Sequence, residues 1–113
     1  MTDLADLTIS AARSGLDASD FSAVEIVDAV LERAAISESH LHAYLTLNKD
    51  AALRAATASD ESRMRGNPSG PLDGIPIALK DNMCTRGVET TCGSKMLSGY
   101  RPPYDATVVR RLA

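Results

Sequence analysis

Tryptophan is absent from this sequence, phenylalanine occurs once and tyrosine three times. With aromatics at 4% of a chain that is 44% apolar, any core has to be assembled mainly from Ala, Val, Leu and Ile. The 113 residues suffice for one modest domain and are too few to suggest two. Such a balance describes a foldable segment rather than a disordered tail.

Positive charge is scarce as well. The formal net charge is -3, and Arg110-Arg111 is the one place where basic residues adjoin. The footprint of direct nucleic-acid binding is therefore missing. No window approaches the ~18 to 20 consecutive apolar residues of a membrane span. The opening MTDLADLTIS has neither the basic nor the apolar region of a signal peptide. A cytosolic location is the default expectation.

Cysteine is limited to Cys84 and Cys92, with no histidine near either. That spacing matches no common zinc arrangement, and a cytosolic chain keeps such thiols reduced. His40 and His42 lack a partner at a useful spacing and read as surface or packing residues.

What is present falls into two compositional parts, 1–66 and 67–113. The first reads as helical, beginning with a short helix around Leu7 to Ser14. Ser22-Ala-Val-Glu25 then spells a capping box, in which serine and glutamate each satisfy the other's backbone amide. Behind it Ala23, Ile26, Val27, Val30, Leu31 and Ala34 recur at helical spacing, while Glu25, Asp28, Glu32 and Arg33 lie off that stripe. His42 to Leu47 reads as a brief extended link. Lys49 to Arg65 is an alanine-rich third helix with a narrow apolar side, stopped by Gly66 at the C′ position.

After Asn67-Pro68-Ser69-Gly70-Pro71 the pattern changes to turns, a short strand and loops. Within Gly74-Ile-Pro-Ile-Ala-Leu-Lys80, strand alternation puts Ile75, Ile77 and Leu79 on one face and Pro76, Ala78 and Lys80 on the other. Lys80 would then share its face with small residues able to bury its stem. Neither a P-loop nor a dinucleotide-binding glycine motif is spelled here, because Lys80 follows leucine and precedes aspartate, and Gly70 and Gly74 have the wrong spacing.

Two readings of Lys80 remain open on physics alone. A desolvated lysine loses its proton more easily and can act as a base, whereas the neighbouring Asp81 would favour the charged form. The plain alternative is an exposed lysine ending a strand.

Asp105 reads as the N-cap of a further helix from Ala106, whose apolar Val108, Val109 and Leu112 have only begun to repeat at Ala113. That abrupt end, and a lone strand unable to satisfy its own backbone, lead us to expect the front part of a longer chain.

Three pieces carry a resemblance: Gly74-Ile-Pro-Ile-Ala-Leu-Lys80-Asp-Asn82, Thr90-Thr-Cys-Gly-Ser94 and Tyr104-Asp-Ala-Thr-Val-Val109. Together they resemble the lysine-bearing segment of the amidase signature family, and the second and third lean toward its tRNA-dependent branch. The helical front is similar too, so the resemblance covers nearly the whole chain. It implies an α/β fold, a mixed sheet flanked by helices, of which this chain supplies the N-terminal helices and first strand of a single amidase domain.

The resemblance also implies chemistry resting on a lysine, a bridging serine and a nucleophilic serine. Lys80 would be the general base, with Asp81 and Asn82 fixing the loop after the strand. The serines following Lys80 are Ser94 and Ser98, and neither lies in a Gly/Ser-rich loop, so the two catalytic serines are expected beyond Ala113. Residues 1–113 alone are accordingly expected to hydrolyse no amide.

In the family's tRNA-dependent branch, ammonia released from glutamine passes to a partner protein. That partner uses ATP and magnesium to amidate misacylated Glu-tRNA(Gln) or Asp-tRNA(Asn), so this chain needs no cofactor of its own. The implied assembly is a heterotrimeric amidotransferase, completed by its B and C subunits. Other readings are a family member acting on small aryl, acyl or carbamoyl amides, and a non-catalytic truncated segment whose exposed helical face and strand edge serve assembly.

Overall fold

Local signals in the sequence account for several of the helix boundaries in the computed structural model, which describes residues 2–113. Among the described residues the helices are α1 (Ile9–Ala18), α2 (Ala23–Leu41), α3 (Lys49–Met64) and α4 (Thr107–Leu112), with 3-10 turns at Leu4–Asp6 and Lys95–Leu97. They belong to two compact units, one extending through Pro76 and the other covering Ile77–Ala113.

In the first unit, α1 starts later and runs longer than the expected Leu7 to Ser14. Thr8 is its N-cap, accepting from the Ala11 amide at 3.1 Å, and Ser19 ends it in the left-handed region at φ 60°. Ala12, Gly15 and Leu16 form its buried stripe. The Phe21 ring lies directly over Gly15, so close that a Cβ there would overlap it.

The capping box of α2 forms as expected, with the Ser22 amide donating to Glu25 at 2.7 Å and the Glu25 amide donating to Ser22 Oγ at 3.1 Å. The two amides between them are satisfied from α3. Asp60 accepts from the Ala23 amide at 2.7 Å and from the Val24 amide at 3.1 Å. All four backbone donors that a helix start leaves without an internal partner are thereby met. The end of α3 thus lies beside the start of α2, and the two helices run in opposite directions.

Asp60→Ala removes two charge-assisted bonds and leaves two part-buried amides without acceptors. The expected loss is about 2 kcal/mol. It would be read as a lower urea midpoint at unchanged slope; a midpoint within error of the parent would refute the tertiary cap.

The core of this unit is Ala12, Leu16, Ala23, Ile26, Val27 and Ala56, with Leu7, Phe21, Val30, Leu53 and Ile75 partly buried against it. Three of its six buried members are alanines, consistent with the poverty in aromatics. The apolar stripe expected on α2 is the face that turns inward, and Ala34 is buried with it. Helix α3 ends at Met64 with Gly66 at φ 73°, the left-handed stop expected of it. Arg33 ties the N-terminal turn to α2 through Asp3 at 2.7 Å and Asp6 at 3.0 Å. His40 and His42 are exposed, and the link after α2 is irregular.

Two expectations are corrected. The alternating run Ile75 to Lys80 forms no strand, and no strand occurs among the described residues. A strand is defined by its ladder, and no neighbouring segment among these residues pairs with this one. Ile75 packs on the helical core, whereas Ile77 and Leu79 are 43% and 38% exposed, so the run has no single buried face. Lys80 and Ala78 are exposed, and the stem of the lysine is not shielded here.

Asp105, expected to cap α4, does not do so. Its carboxylate accepts from the Arg86 amide at 2.7 Å, and α4 begins one residue later with Ala106 at the cap position and no side-chain cap.

Candidate functional site

Apart from α4 and the 3-10 turn at Lys95–Leu97, the second unit is built from loops tied together by hydrogen bonds. Segments around residues 84–90 and 100–106 run antiparallel, joined by isolated bonds from Ala106 N to Cys84 O at 2.7 Å, Gly87 N to Pro102 O at 3.1 Å and Thr90 N to Tyr100 O at 3.0 Å. Thr90 is 4% exposed and Pro102 is fully buried between them. Side chains reinforce the pairing: Glu89 accepts from the Gly99 amide at 2.7 Å, and Arg101 donates to Gly87 O at 2.6 Å.

Lys80 is the first residue of a turn closed by Met83 N donating to Lys80 O at 3.0 Å. Asp81 and Asn82 fill its middle positions, where short polar side chains favour a reversal of the chain. The ammonium of Lys80 takes part in none of the ion pairs among the described residues. Asn82 is exposed.

Asp81 is bonded to the loop at residues 91–93. Its carboxylate accepts from the Thr91 hydroxyl, from the Thr91 amide at 2.9 Å and from the Gly93 amide at 3.4 Å. Its carbonyl accepts from the Cys92 amide at 2.8 Å. The amides of residues 91, 92 and 93 therefore all point to one residue, a convergence made possible by positive φ at Cys92 (52°) and Gly93 (70°). The Thr91 hydroxyl, then the Thr91 and Gly93 amides, hold the Asp81 carboxyl below its ordinary range.

The sign of the resulting pH dependence follows from linkage. A carboxyl with a depressed folded-state value contributes stability that is complete above its unfolded value and is lost as pH falls through the folded one. The 77–113 unit is thus expected to loosen in acid, below the ordinary aspartate range, with the Thr91 and Gly93 amide resonances reporting it. In Asp81→Asn that transition is expected to vanish; its persistence would assign it to another group.

The remaining candidates separate cleanly. Cys84 Sγ lies 3.4 Å from the Tyr104 hydroxyl, a contact that raises the tyrosine above its usual value, while Cys92 is exposed; both thiols are free. Ser94 accepts from the Met96 amide at 3.2 Å and caps the 3-10 turn. No group of three or more metal-ligating side chains occurs among the described residues. None of the helices described is long and apolar enough to cross a membrane.

Sequence reasoning singled out Thr90 to Ser94 as a family mark without giving Thr91 a task. The threonine pair was visible, but its partner lies ten residues away across a turn.

Residues 25–113 match the family described as Amidase. The chain is 54% identical to the A subunit of the glutamyl-tRNA(Gln) amidotransferase of Chloroflexus aurantiacus, over 99% of its own length and 23% of that relative. It is 46% identical to the protein of the same name from Natranaerobius thermophilus, over 97% of the chain and 22% of the relative. With the namesake from Salinispora arenicola the identity is 44%, over 99% and 23%. The chain thus spans about a quarter of the length of the curated relatives it matches. With the matched region covering most of its residues and the lysine-bearing turn inside that region, the chain belongs to the amidase family.

Proposed function

We propose that this chain is the N-terminal part of a glutamine-hydrolysing amidotransferase subunit that supplies ammonia for converting Glu-tRNA(Gln) to Gln-tRNA(Gln). The observation that carries the reading is identity of 44% to 54%, along almost the whole chain, to relatives named as the A subunit of that enzyme. In this reading the complete domain is α/β, a mixed sheet flanked by helices, and the run from Ile75 to Lys80 gains its pairing partner there.

Lys80 is the general base. Its amine takes a proton from a bridging serine, which takes one from the nucleophilic serine. The nucleophile attacks the side-chain amide of glutamine, ammonia leaves, and water hydrolyses the acyl-enzyme. Both serines belong to a Gly/Ser-rich loop outside residues 1–113, whose backbone N–H groups stabilise the oxyanion. The B and C subunits complete the assembly in the cytoplasm, and the first of them binds the misacylated tRNA together with ATP and magnesium. The acidic charge of this chain agrees with leaving the tRNA to a partner.

The test is ammonia release from glutamine by the full-length protein, on its own and with its partners. A glutamine-specific activity that rises on adding partners and Glu-tRNA(Gln) supports the reading. Equal turnover of small aryl or acyl amides, indifferent to the partners, would replace it with a tRNA-independent amidase.

A further inference from the structure

We propose that Asp81 and Thr91 act as one positioning device for Lys80, holding the turn that carries the lysine against the 91–93 loop. The proposal rests on the amidase reading above, adds Thr91 to it and gives Asp81 a defined partner.

The geometry is specific in three respects. First, Asp81 directs both its carbonyl and its carboxylate to the same short loop, so the turn from Lys80 to Met83 is clamped from its second residue. Second, the loop adopts a shape in which three successive amides converge, and this requires left-handed backbone at Cys92, a residue with a Cβ. Such a conformation persists only where surrounding bonds over-determine it, and Asp81 supplies those bonds. Third, the carboxylate next in sequence to the lysine forms no ion pair with it and instead accepts from Thr91 and Gly93.

A base that relays a proton through a serine needs a fixed position and freedom from a competing carboxylate. The sequence places an aspartate directly beside Lys80. The Thr91 hydroxyl turns that neighbour into an anchor. Losing the anchor leaves the lysine on a looser turn, and a displacement of about 1 Å at a reacting group costs about 10²-fold in rate.

The experiment uses the full-length protein in complex with its partners and follows ammonia release from glutamine. Thr91→Val keeps the shape and the amide but deletes the hydroxyl; Thr91→Ser keeps the hydroxyl. Thr91→Val and Asp81→Asn are each expected to lower kcat by about 10- to 100-fold with KM for glutamine nearly unchanged, and Thr91→Ser to retain most of kcat. The double variant is expected to be no worse than Asp81→Asn alone, since the two residues act as a unit.

Equal kcat in the valine and serine variants, a loss confined to KM, or multiplicative losses in the double variant would each overturn the proposal. Thermal midpoints of the assembled variants check folding. Should Asp81→Asn fail to fold, the valine and serine pair, which differ from threonine in the hydroxyl and in the methyl respectively, decides alone. Lys80→Met in the same complex separates the positioning role from the functional reading beneath it. Full ammonia release by it sinks the functional reading itself, whereas a dead Lys80→Met beside a fully active Thr91→Val sinks only the positioning role.

Discussion

On the function proposed above, with Lys80 as the general base, Lys80→Met in the full-length protein with its partners is expected to lower kcat for glutamine hydrolysis by ~10²- to 10⁴-fold, the range that a positioned general base contributes. Methionine keeps much of the length and apolar stem of lysine and removes the basic nitrogen. The lysine begins a turn whose closing bond uses its backbone carbonyl, so the substitution leaves that bond in place. Glutamine binding is therefore expected to survive, and KM to change little. An arginine in its place would keep the charge without the capacity to give up a proton, and is expected to be as inactive as methionine. Substantial activity in Lys80→Arg would mean that positive charge, not basicity, is what the site uses.

Gly74→Ala is expected to destabilise the helical unit by about 2 to 4 kcal/mol, the sum of two independent causes. The residue sits at φ 82°, where a side chain costs about 1 kcal/mol or more. A Cβ built there would also lie 2.9 Å from Ser59 Oγ, 3.1 Å from Ala23 Cβ and 3.3 Å from Leu16 Cδ1, and overpacking of that kind costs about 1 to 3 kcal/mol.

Gly66 offers an internal comparison, with φ 73° but no atom within 4 Å of an added Cβ. Gly66→Ala is expected to cost the backbone term alone, about 1 kcal/mol. The difference between the two urea midpoints isolates the close approach of the chain to α1, α2 and α3. Equal losses in the two variants would refute a packing constraint at Gly74.

Gly74 and Lys80 open and close the same short run, and they differ in how far they were legible. Lys80 stood out because a cation ending an apolar run is unusual and because its neighbours spell a family motif. Gly74 read only as the first letter of that motif. Its need for a bare Cα comes from Leu16, Ala23 and Ser59, which no local pattern associates with it.

The same division runs through the fold. The capping box at Ser22 and the stop at Gly66 were legible because donor and acceptor, or stop and helix, lie within a few residues. The acceptor for Ala23 and Val24 was not, because Asp60 is more than thirty residues away. Asp105 misled for the opposite reason: a residue with the right chemistry for a cap was engaged by the Arg86 amide. The alternation from Ile75 to Lys80 is a real feature of the sequence, but alternation records only which side chains could face together. A ladder requires a second segment.

The shared acceptor at the start of α2 has a kinetic counterpart. Ser22 and Glu25 exchange their bonds within one turn, so their amides open whenever that turn frays. Ala23 and Val24 are held from α3, and their deuterium uptake must wait for the two helices to part. Four adjacent amides would therefore report two different opening events, the middle pair serving as a clock for the separation of α2 from α3.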